Sequence, residues 1–211
     1  MNARSYTVGV LRYAITGGDC LCGGNGGLLR LAARWAADRV DFVQLREKQM
    51  DAGTLTALAR KLKSALGPHT KLLVNGRADV AIAAGAAGVH LTAHPDELTP
   101  EQVRRVFTLA GAPEPIVSVS CHTLEDVERA RDSEADLILF GPVFEKRVGD
   151  DAVIEGVGLE MLRKVCEAAG AVKVFALGGI TQKNAQQCVA AGVTGVAGIR
   201  LFGDVPVRTK T

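Results

Sequence analysis

Eight short apolar runs, spaced by intervals that carry helical periodicity, constrain this 211-residue chain more than any other feature. The runs lie at Val8 to Ile15, Phe42 to Leu45, Leu72 to Val74, Gly88 to Leu91, Ile116 to Val119, Leu137 to Phe140, Val172 to Leu177 and Val193 to Ile199. Between them the spacing predicts helices over Leu28 to Ala37, Leu55 to Leu66, Ala78 to Ala84, Pro100 to Leu109, Leu124 to Arg131, Leu159 to Ala169 and Lys183 to Ala191. Strands that alternate with helices pair in parallel, and eight repeats in a chain of this length predict one α/β domain, a (β/α)8 TIM barrel. The barrel is expected over about residues 8–202, with a short polar tail at 203–211. An open doubly wound sheet is the alternative, because periodicity does not report closure. After the eighth run only Leu201 to Thr211 remain, too few for a full closing helix. The last helix is therefore expected to be missing or truncated, leaving an apolar seam that a homodimer would cover.

Composition narrows the function classes. An apolar content of 47% with 4% aromatics is ordinary for an α/β enzyme, and a formal net charge of +2 gives no electrostatic footprint for nucleic acid or a membrane surface. No apolar run reaches the roughly 18 residues of a membrane span, and Met1 to Ala14 lacks the apolar centre of a signal peptide, so a cytoplasmic location is expected. Five scattered cysteines argue against a disulfide framework. The pair Cys20 and Cys22 has no matching second pair of ligands, since His69, His90 and His94 stand isolated, so no metal site is expected. Gly23 to Gly27 invites a nucleotide-loop interpretation, but no Gly-Lys-Ser/Thr follows and Leu29 stands where a third glycine belongs. A mobile loop near the barrel mouth, able to act as a lid, is the expectation.

In a parallel barrel the functional face is the C-terminal end of the strands. Side chains alternate along a strand, so Gln44, Arg46 and Lys48 share a side, and an inward parity carries them into the mouth. There Arg46 would offer its fork to a carboxylate or phosphate; a solvated Arg46-Glu47-Lys48 charge run is the bland alternative. The same alternation puts Ser118, Ser120 and His122 on one face of the fifth strand and turns Cys121 toward the helices. A histidine at the rim suits proton transfer near neutral pH. Asn75 ends the third strand, Gly141 ends the sixth, and His90, at the end of the fourth, is expected to be a satisfied structural residue. Val172 to Arg200 makes one βαβ unit in which Gly178 and Gly179 let backbone N–H groups approach an anion, and Thr181 is a candidate N-cap for the following helix.

Taken in order, Val43-Gln44-Leu45-Arg46-Glu47-Lys48, Val74-Asn75-Gly76-Arg77-Ala78-Asp79, Gly88-Val89-His90-Leu91, Val117 to Glu125, Phe140-Gly141-Pro142-Val143-Phe144 and Leu177-Gly178-Gly179-Ile180-Thr181 resemble the thiamine phosphate synthase/TenI superfamily over about Arg12 to Phe202. The resemblance implies a TIM barrel and a thiazole phosphate ligand. Synthases of that superfamily join a hydroxymethylpyrimidine diphosphate to the thiazole phosphate and hold Mg2+ on carboxylates. Their Asn-Asp is Asn75-Gly76 here, their Gly-Gln-Glu-Asp stretch is Thr92-Ala93-His94-Pro95, and only a one-residue shift of Asp96 would restore a carboxylate. Their Thr-x-Thr-Lys diphosphate loop is replaced by Glu145-Lys146-Arg147-Val148-Gly149.

The Asn75 to Arg77 and Leu139 to Glu145 stretches look like the TenI-like thiazole tautomerases, which need neither metal nor diphosphate. That resemblance implies His122 as the proton carrier, with Gln44, Arg46, Lys48, Asn75, Ser120 and Gly141 around the substrate. The phosphate would rest on Gly178, Gly179, Gly198, Ile199 and Arg200. No cofactor is expected, Mg2+ entering only with the synthase alternative. A non-catalytic thiazole phosphate sensor on the same barrel is the third alternative.

Overall fold

The computed structural model describes residues 9–17, 24–94, 96–148 and 152–202. Its strands are β1 (Leu11–Ile15), β2 (Phe42–Leu45), β3 (Lys71–Asn75), β4 (Gly88–Leu91), β5 (Ile116–Cys121), β6 (Leu137–Phe140), β7 (Lys146–Val148), β8 (Ala152–Ile154), β9 (Lys173–Ala176) and β10 (Gly195–Gly198). The helices are α1 (Gly24–Ala37), α2 (Ala52–Leu66), α3 (Ala78–Ala84), α4 (Pro100–Leu109), α5 (Leu124–Asp132), α6 (Gly158–Ala169) and α7 (Ala185–Ala190). Eight strands close into a parallel barrel in the order β1-β10-β9-β6-β5-β4-β3-β2, which removes the open-sheet alternative. Closure is carried by the register of β1 on β10, where Leu11 pairs with Gly195 and Ala14 with Gly198. The antiparallel β7–β8 hairpin stands apart from the barrel, between β6 and α6, and no run in the sequence announced it.

The helices begin where local chemistry satisfies their free N–H groups. Asp51 caps α2 by accepting from Thr54 N at 2.9 Å, and Leu55, Leu58, Ala59, Leu62 and Leu66 form its buried stripe. Thr99 with Gln102 and Thr123 with Asp126 form reciprocal capping boxes on α4 and α5. Gly24 to Gly27 belongs to α1 and is not the expected loop. The face that begins at Leu28 and continues through Ala32 and Trp35 is buried, and that packing outweighs the weak helix propensity of glycine. The remaining residue of the proposed lid, Gly23, and the tail at 203–211 lie outside the described residues. Seven helices accompany the eight barrel strands among the described residues.

Between strands and helices lie two buried apolar clusters, one around β1 to β5 with α1 to α4, the other around β5, β6, β9 and β10 with α5 to α7. A third fills the barrel interior with Tyr13, Ile15, Phe42, Leu73, Leu137, Leu139, Phe175 and Ala197. Three of these rings pack together: Tyr13 stacks on Phe42 at 5.8 Å between centroids, and Phe175 meets both edge-on at 5.6 and 5.7 Å. Gly195 makes room for them, since a Cβ there would stand 2.5 Å from the Phe175 ring. The floor is thus aromatic, and the polar residues are left to the mouth.

Candidate active site

A cavity of about 1150 Å³ opens at the C-terminal ends of the strands and continues along the flank of β1 and α1 to Arg12, Arg34, Asp38 and Val40. Its lining gathers Gln44, Arg46, Lys48, Asn75, Ser120, His122, Gly178, Gly179, Gly198, Ile199 and Arg200, and so unites all but one of the site residues read from the sequence. The exception is Gly141, which is buried outside the lining. Its carbonyl oxygen instead lies 2.6 Å from His122 Nδ1. A carbonyl only accepts, so Nδ1 carries the proton of the neutral ring and Nε2 is left as the acceptor.

His122 is held by the start of α5. Its backbone N–H donates to Asp126 Oδ2 at 2.9 Å, the Thr123 N–H donates to the same oxygen at 3.0 Å, and Thr123 Oγ accepts from Asp126 N at 3.1 Å. Burial opposes the charged form of Asp126. The hydrogen bonds from His122 and Thr123, with the ion pair to Arg129, nonetheless hold its carboxyl below the usual range. The strand parity is as expected: Cys121 packs among the helices, while Ser118, Ser120 and His122 face inward.

Across the mouth, Thr16 joins β1 to the end of β2. Its N–H donates to Gln44 O at 2.9 Å, its hydroxyl oxygen accepts from Arg46 N at 2.9 Å, and its hydroxyl donates to Glu47 Oε1 at 2.8 Å. Burial raises the Glu47 carboxyl against the lowering effects of Thr16 and Arg46. Gln44 is 2% exposed and donates from Nε2 to Asn75 Oδ1 at 2.8 Å, while its own Oε1 is buried without a partner. Sequence parity brought these two amides to the mouth but not to each other.

His90 is almost wholly buried at the edge of the cavity and is bonded on both ring nitrogens, to Ser118 and Ser120, as its structural reading required. Burial, with the Arg46 charge, pushes its pKa down to about 3, so the ring is neutral. On the opposite side Gly178 and Gly179 turn the chain at φ of 89° and 64°. A Cβ on Gly179 would stand 2.7 Å from Glu145 O. Thr181 and Asn184 bond reciprocally: Thr181 N donates to Asn184 Oδ1 at 2.7 Å, and Asn184 N donates to Thr181 Oγ at 3.3 Å. The Asn184 amide also donates to Gly179 O at 3.0 Å. Thr181 thus caps the turn that leads into α7, and α7 itself starts later, at Ala185.

The corner between β3 and β4 bears on a divalent cation. Asp96 is 89% exposed at its side chain and pairs with His94 at 3.7 Å, so the shift that would have restored a ligand does not occur. Glu97 approaches instead, with Oε2 3.5 Å from where a Gly76 Cβ would be, but it is engaged with the Thr92 N–H and hydroxyl at 3.4 and 3.1 Å. Arg77 is committed to Asp79 through two bonds of 2.9 and 2.6 Å. Among the described residues no three His, Cys, Asp or Glu side chains come together as a metal-holding group. The donor set of the described residues does not fit a magnesium site.

Closed barrel and mouth together define a (β/α)8-barrel enzyme with its chemistry at the C-terminal face. The chain belongs to the thiamine monophosphate synthase (TMP-TENI) family of thiamine biosynthesis enzymes, whose profile matches residues 12–202. It is 38% identical over 190 residues to a thiamine-phosphate synthase of Koribacter versatilis, covering 88% of this chain and 85% of that one. It is 39% identical over 171 residues to a putative thiamine-phosphate synthase of Geobacter sulfurreducens, covering 81% and 76%. A solved thiamine phosphate pyrophosphorylase from Pyrococcus furiosus superposes with a TM-score of 0.74 at 27% identity, covering 90% of this chain and 86% of that one. No described helix is long and apolar enough to cross a membrane.

Proposed function

We propose that the protein aromatises a thiazole carboxylate phosphate by moving one proton, a metal-independent tautomerisation. The observation that carries this is the His122 ring, whose Nδ1–H is tied to Gly141 O at 2.6 Å so that Nε2 stands as a base. Nε2 takes the proton from the carbon that bears the carboxylate. The electron pair moves into the ring, and the exocyclic carbon receives the proton back from Nε2. Nothing is oxidised or reduced. Arg46 pairs with the carboxylate, and the phosphate rests on the backbone of Gly178, Gly179 and Gly198 to Arg200. A cation bridging a diphosphate needs carboxylate oxygens; Gly76 supplies none where the synthases place an aspartate, and the Glu97 carboxylate beside it is engaged by Thr92.

A second reading, thiamine phosphate synthase, is favoured by the names of the relatives and by two features of the mouth. The mouth, together with its extension along β1 and α1, encloses about 1150 Å³, room for two ligands. The buried Gln44–Asn75 amide pair leaves an unpaired acceptor, which an amino-substituted ring would satisfy and a thiazole carboxylate would not.

One experiment separates them. The protein is incubated with the unaromatised thiazole carboxylate phosphate, and separately with the two phosphorylated halves with and without Mg2+. Aromatic product without metal is the expected result; thiamine phosphate formed only with Mg2+ would overturn it in favour of the synthase.

A further inference from the structure

Beneath the cavity, four polar side chains from β1, β4 and β5 make one continuous chain. The Tyr13 hydroxyl lies 3.4 Å from both Ser118 Oγ and His90 Nδ1, Ser118 Oγ lies 3.0 Å from His90 Nδ1, and His90 Nε2 lies 3.0 Å from Ser120 Oγ. Tyr13 and Ser118 are wholly buried, whereas His90, nearly buried, and Ser120 both border the cavity.

The placement of hydrogens decides what this chain does. Burial keeps Tyr13 a phenol and His90 neutral, so Tyr13 and Ser118 bring one hydrogen each and the ring brings one. With the ring proton on Nδ1, three hydrogens must share the contacts among Tyr13, Ser118 and Nδ1. Nδ1 then accepts nothing, and one buried hydroxyl hydrogen is left without an acceptor, which interiors avoid. With the proton on Nε2, Tyr13 donates to Ser118, Ser118 donates to Nδ1, and every hydrogen is placed. Nε2–H then donates to Ser120 Oγ, and the Ser120 hydrogen is turned away from His90.

We propose that Tyr13, Ser118 and His90 form a one-way hydrogen-bond relay that fixes His90 as its Nε2–H tautomer and presents Ser120 to the ligand as a donor. The three are positioning residues, and the relay acts on the substrate through the Ser120 hydroxyl. What Ser120 donates to rests on the tautomerase reading: it is an electronegative atom of the heterocycle or its carboxylate, which gains negative charge as the carbon-bound proton leaves. The barrel then holds two histidines of opposite tautomer. His122 is protonated at Nδ1 and acts as a base, while His90 is protonated at Nε2 and acts only through Ser120.

Nitrogen-15 spectra of the histidine-labelled, ligand-free chain test the relay directly, with His90 identified by the signal lost in His90→Gln. The expected result is a protonated Nε2 and a bare Nδ1 on His90; a protonated Nδ1 overturns the proposal. A kinetic arm follows the tautomerisation. Ser120→Ala is expected to lower kcat about tenfold with KM changed less than threefold, the loss of one hydrogen bond to a charged acceptor. His90→Gln, which keeps an N–H near the place of Nε2–H, is expected to stay within about threefold of the parent, while His90→Leu falls as far as Ser120→Ala. Equal losses in the two His90 variants overturn the relay. If the parent protein turns over no thiazole carboxylate phosphate, the functional reading has failed, and the nitrogen-15 result alone decides the relay.

Discussion

Acidification should unfold this protein partly through one residue. His90 holds a pKa of about 3 in the fold because burial, with the Arg46 charge, penalises its cation. In the unfolded chain the same ring takes a proton near its ordinary value of about 6.5. The sign follows. Above about pH 7 both states are neutral at this site and stability is complete; as pH falls from about 6.5 toward 3 only the unfolded state gains the proton, so stability is lost across that window. At 1.36 kcal/mol per unit, the loss is about 2 kcal/mol at pH 5 and about 3 kcal/mol at pH 4. Urea unfolding of the parent and of His90→Gln at pH 8 and pH 5 isolates it. Carboxylates and the exposed histidines titrate alike in both proteins and cancel in the comparison. The parent should lose about 2 kcal/mol more than the variant, a midpoint shift of roughly 1 M at a slope of about 2 kcal/mol/M. Equal losses would mean that His90 is hydrated or charged in the native barrel, and the enclosure described above would be wrong.

Three further outcomes follow from the same geometry. His122→Ala should lower the tautomerisation rate by about 10²- to 10⁴-fold while calorimetry with the aromatic product finds its affinity nearly unchanged; full activity would remove His122 from the mechanism. Gly179→Ala places a Cβ 2.7 Å from both Glu145 O and Phe144 Cβ at a φ of 64°. It should destabilise by about 1–3 kcal/mol and abolish the calorimetric signal of inorganic phosphate, and unaltered phosphate binding would displace the anion from this turn. Trp35→Phe deletes the indole N–H that donates to Phe202 O at 2.8 Å, and a chemical melt should show a loss of about 1 kcal/mol.

The barrel was legible because its evidence is local. Apolar runs such as Phe42 to Leu45, Gly88 to Leu91 and Leu137 to Phe140 coincide with β2, β4 and β6, and period-two alternation placed Gln44, Arg46, Ser120 and His122 at the mouth. What the sequence withheld depends on pairs distant along the chain. Thr16 meets Glu47 and Gln44 meets Asn75 across 31 residues each, and Tyr13 reaches Ser118 across 105. None of these has a spacing signature. Gly141 was placed correctly at a strand end but assigned to the ligand, because nothing local shows that its carbonyl is taken by His122. The β7–β8 hairpin escaped because three-residue strands carry too little periodicity to register. Glycines 24 to 27 misled in the other direction, since their propensity is for turns and the burial of Leu28 and Trp35 overrides it.

Tyr13, Phe42 and Phe175 stopper the bottom of the barrel, so traffic through it is one-ended. Whatever enters between Arg46 and the Gly178–Gly179 turn must back out past the same residues before the next molecule arrives. Product departure and substrate arrival therefore compete for a single doorway, with His122 and Glu145 on its rim.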